Sequence, residues 1–244
     1  MAIPNFLIKL YNGILNLIFP NTCGFCDEVI NGNALICSEC HKMVEFPDFC
    51  RKCGMPINDC RCKIKRFFFD GCTCGCEYQG IARKGILKFK YHYAFNCAEY
   101  ICQELAKRLE RYGYAKQIDI ITAVPMTRKR YLQTGYNQSE EMAKMLSKEI
   151  GKPCDFKLLK KNPKLDFRQH EQSKEMRKSL ALHSYTVNPK HSDIKGKNIL
   201  ICDDITTTGS TLSQCARLLK EIGAEKVYCA VLASTPAKKS DKEG

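Results

Sequence analysis

The sequence has no apolar run long enough to cross a membrane and no recognisable export signal. Its most apolar segment, residues 1–20, spaces its large side chains along one face of a helix, with Lys9, Asn12 and Asn16 on the other face. A transmembrane helix needs about 20 consecutive apolar residues. An export signal needs a basic start and a small-residue cleavage site. We therefore expect an amphipathic N-terminal helix over residues 1–20 that docks onto the domain behind it.

Acidic residues are scarce relative to basic ones. The 244 residues include 39 Lys and Arg against 26 Asp and Glu, for a formal net charge of +13. This excess favours an acidic partner, either a phosphorylated small molecule or a nucleic acid, although a lysine-rich surface without a partner is the alternative. The sequence also lacks the G-x-x-x-x-G-K-[ST] motif, which excludes a Walker-type phosphate loop.

Cysteine is abundant, with 17 residues, and its placement indicates metal binding. Four pairs follow one another in the N-terminal third: Cys23 and Cys26, Cys37 and Cys40, Cys50 and Cys53, Cys60 and Cys62. Two C-x-x-C turns supply the thiolates of one closed tetrahedral zinc site, so eight ligands predict two structural zinc ions. The spacing favours sequential use of the pairs, and an interleaved arrangement is the alternative. An odd cysteine count without an export signal argues for a reducing cytoplasm.

The other cysteines are predicted to lie in the core. Cys72, Cys74 and Cys76 alternate with other residues, which places all three on one face of a β-strand, where cysteine behaves as a small apolar residue. The same interpretation applies to the cysteines that are scattered among apolar neighbours: Cys97, Cys102, Cys154, Cys202, Cys215 and Cys229.

The C-terminal two thirds alternate short apolar runs with helical patterns. Strands are predicted within residues 72–78, 118–125, 198–203 and 226–233, and helices within residues 95–113, 139–153 and 210–223. This alternation predicts an α/β fold, with a parallel sheet covered by helices on both faces. Ligands of such sheets bind beyond the carboxyl ends of the strands.

Two adjacent carboxylates, Asp203 and Asp204, end one of these strands. A hydroxyl-rich turn follows and leads into a helix, and its candidate phosphate-binding residues are Thr207, Thr208, Gly209, Ser210 and Thr211. Backbone amides at a helix N-terminus hold a phosphate dianion, whereas paired carboxylates accept hydrogen bonds from vicinal hydroxyls. The stretch therefore predicts a site for a ribose 5-phosphate group.

The segment ILICDDITTTGST resembles the phosphoribosyl diphosphate signature of type I phosphoribosyltransferases. Together with the cysteine pairs and the segment AVPMTRKRYLQTGYNQSEEMA, it makes the chain similar to the ComF family, whose members are linked to natural competence. The resemblance implies a double zinc ribbon over residues 21–66, a type I phosphoribosyltransferase-like domain over residues 67–237 and a disordered tail over residues 238–244. Thr134 and Leu180 depart from the family, which usually has Arg and Asn at these positions.

The resemblance also implies an activity. Phosphoribosyl diphosphate would bind with magnesium, and a nucleophile would displace pyrophosphate while Asp203 and Asp204 fix the ribose. The residues implied at the pyrophosphate turn are Val124, Pro125, Met126 and Arg128, with Lys129 and Arg130 behind them. The sequence does not indicate the acceptor.

Two other hypotheses keep the same site but change the function. In the first, the protein binds single-stranded DNA for competence proteins, using the zinc module and the basic segment of residues 160–178, with aromatic and lysine side chains interleaved in residues 84–95. In the second, it is a nucleotide sensor that binds phosphoribosyl diphosphate without turnover.

Overall fold

The computed structural model describes residues 20–60, 62–162, 184–191 and 193–236. The predicted N-terminal helix up to residue 19, the predicted tail and most of the basic segment, with Leu180, lie outside the described residues. Among the residues that the structure describes, no helix is long and apolar enough to cross a membrane.

The described chain contains six strands and six α-helices. The strands are β1 (Gly71–Glu77), β2 (Ile120–Ala123), β3 (Leu159–Lys161), β4 (Tyr185–Val187), β5 (Asn198–Thr206) and β6 (Lys226–Ser234). The helices are α1 (Ser38–Met43), α2 (Gly80–Tyr91), α3 (Phe95–Arg111), α4 (Arg128–Thr134), α5 (Gln138–Ile150) and α6 (Ser210–Glu221). Short 3₁₀ turns occur at Ile57–Asp59 and Pro189–His191. The helices and strands predicted from the alternating pattern are all present, with bounds that differ by a few residues.

Four parallel strands form the main sheet in the order β1–β6–β5–β2, and β3 pairs with β4 in a separate antiparallel hairpin. In the main sheet β5 pairs with β2 through Ile199 and Ile120, and with β6 through Ile201 and Cys229. Because β5 is an inner strand, Asp203 and the residues after it emerge at the middle of the sheet's carboxyl edge. The parallel α/β prediction is confirmed.

Apolar layers cover both faces of the sheet, as predicted. On one face, α3 and α5 bury Leu105 and Met142 against Leu200 of β5. On the other face, α6 buries Leu219 against Ile199. Other apolar residues of α5 and α6 also pack against these layers: Met145, Leu146, Ile150, Leu212, Cys215 and Ile222. Gly151 ends α5 in the left-handed conformation (φ 66°), which favours glycine.

The three alternating cysteines of β1 are buried, with exposures of 1%, 0% and 0% for Cys72, Cys74 and Cys76. Cys72 and Cys74 pack in the layer that contains α6, as a shared face requires. Cys76, at the end of the strand, packs instead with the layer of α2 and α3. The core prediction is therefore confirmed, and the single-face prediction holds for the first two cysteines.

The cysteine-rich segment packs closely against the α/β domain. The Cβ of any side chain at Gly24 would clash with the backbone nitrogen of Cys97, so only glycine fits against α3 at this point. The buried Arg108 of α3 donates hydrogen bonds to the carbonyl oxygens of Phe46 (2.8 Å) and Cys74 (3.3 Å). Arg108 thus ties the stretch between the cysteine clusters to the edge strand β1, which would otherwise expose unpaired backbone groups.

Candidate functional site

A cleft of about 650 Å³ lies at the carboxyl ends of β2 and β5. The predicted site residues that line it are Val124, Pro125, Met126, Arg130, Asp203, Asp204, Thr207 and Thr211. Thr208, Gly209, Ser210 and Arg128 are not among its lining residues. The structure thus brings together three segments that the sequence separates by up to about 80 residues: the pyrophosphate turn after β2, the acid pair and the hydroxyl-rich turn.

Asp203 is held by its neighbours on one carboxylate oxygen. The hydroxyl of Ser139, at the start of α5, and the backbone N–H of Asp204 both donate to Oδ1 at 3.0 Å. Burial, followed by the negative charge of Asp204, raises the pKa of the Asp203 carboxyl to about 7, although the Ser139 hydrogen bond opposes this shift. Asp203 therefore titrates close to physiological pH.

Asp204 forms an ion pair that the sequence did not suggest. Its Oδ2 lies 2.8 Å from Nζ of Lys90, and these two side chains are 12% and 13% exposed. The backbone N–H of Ile205 donates to Oδ1 at 2.6 Å. Lys90 stands at the end of α2, where the helix meets the cleft, and only the fold brings it within contact of a carboxylate 114 positions later in the sequence.

The Asn-Gln pair at the start of α5 links these parts of the site. The Asn137 side chain caps the helix by accepting from the N–H of Ser139 at 3.1 Å, and it donates to the carbonyl oxygen of Val124 at 3.1 Å. Gln138 donates to the carbonyl oxygen of Lys90 at 3.0 Å. Both residues are buried. They fix the pyrophosphate turn, Ser139 and Lys90 relative to one another.

The hydroxyl-rich turn has the backbone shape expected of an anion-binding loop. Gly209 precedes α6 with φ 68°, a left-handed conformation that favours glycine, and it offers the helix no side-chain cap. The N–H groups of the first helical turn are therefore left for other acceptors. The hydroxyls of Thr208 and Ser210 lie 2.9 Å apart and neither residue lines the cleft, whereas Thr207 and Thr211 line it.

The basic residues after β2 divide between two sides of α4. Thr127 begins the helix by accepting from the N–H of Arg130 at 3.2 Å. Arg130 lines the cleft and Arg128 does not, because residues two positions apart on a helix point in nearly opposite directions. The sequence placed Arg128 in front and Arg130 behind, which is the reverse of the arrangement found. Thr134, where the family usually has Arg, is buried with its hydroxyl 2.8 Å from the carbonyl oxygen of Tyr136.

Several residues that line the cleft were not predicted from the sequence, because they lie outside the local motifs and only the fold brings them to the site. They are Tyr78, Lys90, Ser139, Lys161, Tyr185 and Thr235. Ser139 alone had a usable signal, since it directly follows the Asn-Gln pair. Lys161 and Tyr185 come from the two strands of the β3–β4 hairpin, with Nζ of Lys161 4.1 Å from the centre of the Tyr185 ring.

The eight predicted metal ligands form two clusters. Cys23, Cys26, Cys37 and Cys40 make one, and Cys50, Cys53, Cys60 and Cys62 make the other, with the sulfur atoms of each cluster within 4.8 Å of one another. This is the sequential grouping of the pairs. Four convergent thiols are the donor set of a closed structural zinc site, so the residues fit two zinc ions that have no open position for catalysis.

The backbone repeats between the two clusters. The residue after the first C-x-x-C turn of each cluster, Asp27 or Gly54, has a left-handed backbone with φ 67° or 70°. Such a turn brings both thiols to the same side, as a zinc knuckle requires.

Paired substitutions test the grouping by metal analysis. Cys26→Ser with Cys37→Ser removes two ligands from one cluster, so we expect zinc to fall from about two ions per chain to about one. Cys26→Ser with Cys50→Ser removes one ligand from each cluster, and we expect most of both ions to be lost. Interleaved sites would give the opposite pattern.

The raised pKa of Asp203 predicts a pH-dependent stability. Between the unfolded value near 3.9 and the folded value near 7, the native state binds more protons, so stability falls as pH rises through this range. Asp203→Asn removes the titration. We expect it to raise the free energy of unfolding relative to wild type by at least about 1 kcal/mol more at pH 8 than at pH 4.

Urea denaturation at the two pH values measures this difference. Asp193→Asn, which removes an exposed carboxylate, is the matched control and should show no such change. If Asp203→Asn raised the free energy of unfolding by the same amount at both pH values, the raised pKa would be contradicted.

Comparison with known protein families matches residues 99–244 to the phosphoribosyl transferase domain, which is more than half of the chain. Residues 14–75 match the double zinc ribbon domain. The first match contains the acid pair and the hydroxyl-rich turn, and the second contains both cysteine clusters.

Individual relatives are similar to this chain over most of its length. Competence protein F of Haemophilus influenzae is 24% identical over 204 residues, covering 79% of this chain and 87% of that protein. DNA utilization protein YhgH of Escherichia coli is 24% identical over 225 residues, covering 87% of this chain and 97% of that protein.

A shorter match has a higher identity. Ribose-phosphate pyrophosphokinase of Thermococcus kodakarensis is 50% identical over 42 residues, which are 17% of this chain and 15% of that enzyme. With its parallel α/β sheet, its signature turn and its two cysteine clusters, the chain belongs to the phosphoribosyl transferase domain family and carries that domain behind a double zinc ribbon, as its resemblance to the ComF family predicts.

Proposed function

We propose that the protein is a phosphoribosyltransferase that binds phosphoribosyl diphosphate and transfers its phosphoribosyl group to an acceptor, with release of pyrophosphate. The observation that supports this best is the meeting of three parts in one cleft of about 650 Å³. Along the chain the acid pair lies between the pyrophosphate turn and the hydroxyl-rich turn, just as the ribose lies between the pyrophosphate and the 5-phosphate in the substrate.

The acid pair would hold the ribose. Asp203 and Asp204 accept hydrogen bonds from its two vicinal hydroxyls, and their negative charge favours the positive charge that develops on the sugar as pyrophosphate leaves. Ser139 keeps Asp203 in place. Lys90 limits the repulsion between the two carboxylates before the ligand arrives, because it neutralises Asp204.

The two turns would hold the charged ends of the substrate. The N–H groups that begin α6, with the hydroxyls of Thr207 and Thr211, bind the 5-phosphate. The backbone of Val124 and Pro125 approaches the pyrophosphate, and Arg130 balances its charge from α4. The acceptor nucleophile attacks the anomeric carbon as the bond to pyrophosphate breaks, so no covalent intermediate with a protein residue is required.

The oxygen-rich cleft fits a magnesium ion that arrives with the substrate. Magnesium prefers oxygen ligands and retains several waters, and the carboxylates of Asp203 and Asp204 are the nearest protein oxygens of suitable charge. When bound, the ion would neutralise the diphosphate. In this proposal the protein works in the cytoplasm, where reduced cysteines remain available to bind zinc.

Pyrophosphate release tests this function directly. Purified protein is incubated with phosphoribosyl diphosphate, magnesium and pooled nucleobase and amine acceptors, and pyrophosphate is followed by a coupled assay. We expect release to fall about 100-fold in Asp203→Asn, because a preorganised charge at the ribose is lost.

The matched control is Asp193→Asn, which removes the same charge from an exposed position and should stay within about twofold of wild type. Binding of phosphoribosyl diphosphate without pyrophosphate release for any acceptor would contradict transfer and favour a nucleotide sensor.

DNA binding is a second candidate, supported by the net charge of +13 and by the names of the two long relatives, Competence protein F and DNA utilization protein YhgH. If single-stranded DNA binds through phosphate contacts, the logarithm of its affinity should fall linearly with the logarithm of salt concentration. We expect an electrophoretic shift that survives Asp203→Asn and weakens steeply between 50 and 200 mM salt, by roughly tenfold or more. Salt-independent retention, or none, would exclude this mode.

A further inference from the structure

The second cysteine cluster is connected directly to the hydroxyl-rich turn. Lys65 lies three positions after Cys62, the last ligand of that cluster. Its Nζ donates to the carbonyl oxygen of Thr208 at 2.9 Å and to the hydroxyl of Ser210 at 2.8 Å. A residue from the cysteine-rich segment therefore contacts the hydroxyl-rich turn of the other domain, 143 positions away in sequence.

Neighbouring contacts fix this connection. The ring of Phe67 stacks on the ring of the buried Phe69, with centroids 4.9 Å apart. The same Phe67 ring covers Gly209, where an added Cβ would lie only 3.0 Å from it. The backbone N–H of Phe68 donates to the hydroxyl of Ser213 in α6 at 3.0 Å. Residues 65–69, here called the connecting segment, thus bind both the turn and the helix that follows it.

Lys65 supplies a positive charge, which the residues of the turn do not have. Residues 207–211 offer a phosphate only dipoles, from N–H groups and hydroxyls, while Asp203 and Asp204 stand close by with the same sign of charge as the ligand. A phosphate oxygen that accepts a hydrogen bond from the hydroxyl of Ser210 would lie within roughly 5.6 Å of the Lys65 ammonium group, since each of the two hydrogen bonds spans about 2.8 Å. At that separation opposite charges attract appreciably in a partly buried site.

We propose that Lys65 is a phosphate-binding residue supplied by the zinc ribbon and that the second zinc cluster positions it. The proposal rests on the proposed function, because it needs a phosphorylated sugar in this cleft. The zinc ribbon then has a role at the site itself. Metal bound by the second cluster would fix the backbone at Cys62, and this would in turn fix the position of Lys65, three residues later.

Calorimetric titration with ribose 5-phosphate tests the role of Lys65. We expect Lys65→Met to weaken binding about tenfold, because a nearby positive charge that attracts the phosphate is lost. Lys65→Arg, which keeps the charge, should restore most of the affinity. The matched control Lys63→Met removes the same charge from an exposed position two residues earlier and should remain within about twofold of wild type.

The outcomes separate the two proposals. Wild-type affinity in Lys65→Met, with binding still lost in Asp203→Asn, would overturn the role of Lys65 and leave the proposed function standing. No binding of ribose 5-phosphate to the wild-type protein would overturn both. An equal loss of affinity in Lys63→Met would show that the effect comes from general surface charge and would also overturn the role of Lys65.

Zinc release supplies a readout that does not depend on activity. Coupling between two sites is reciprocal, so bound ribose 5-phosphate should slow the transfer of one of the two zinc ions to a coloured chelator. We expect this protection in wild type and Lys63→Met, and its loss in Lys65→Met. Release rates that are unaffected by ribose 5-phosphate in the wild-type protein would show that the second cluster and the turn are independent.

Discussion

The repulsion between two adjacent carboxylates in the C-terminal half of β5 is the constraint around which the cleft is built. Asp203 and Asp204 cannot both carry full charge in a partly buried place unless neighbouring groups offset it. Ser139 and Lys90 provide this compensation from α5 and α2, one by a hydrogen bond and the other by an ion pair. Because these partners come from different helices, the acid pair also draws the helices together around the mouth of the cleft.

The Asn-Gln pair shows how a polar site is held without mobile side chains. Asn137 and Gln138 are buried, and each satisfies a backbone group of another segment. A buried amide left without such a partner would destabilise the fold by about 1–3 kcal/mol. The same hydrogen bonds that stabilise the start of α5 therefore place the pyrophosphate turn and Lys90 opposite the acids, so stability and geometry of the site have a common origin.

The cysteine-rich segment acts as part of the domain's surface layer. Gly24 contacts the backbone of Cys97, and Arg108 ties the stretch between the clusters to β1. Few residues surround the cysteines, so metal binding would supply much of the folding free energy of this segment. Since the segment covers an edge strand and contacts the hydroxyl-rich turn through Lys65, we expect loss of metal to affect both the sheet and this turn.

The sequence by itself determined the features that rest on local spacing. The C-x-x-C pairs predicted two metal clusters, the alternation of apolar runs and helical patterns predicted the parallel sheet, and the acid pair before Gly209 predicted where a ribose phosphate would bind. Each of these features depends on residues that are close in the chain, so the local sequence pattern is enough to predict it.

Only the tertiary structure decided which distant residues complete these local motifs. Lys90 pairs with Asp204, Lys65 contacts Ser210, and Arg130 replaces Arg128 at the cleft, although nothing in the local sequence distinguishes these cations from the many other Lys and Arg residues. The grouping of the cysteine pairs was likewise settled by the fold. The physical reason is that such contacts depend on how helices cross and how the ribbon packs on the sheet, which short-range patterns do not encode.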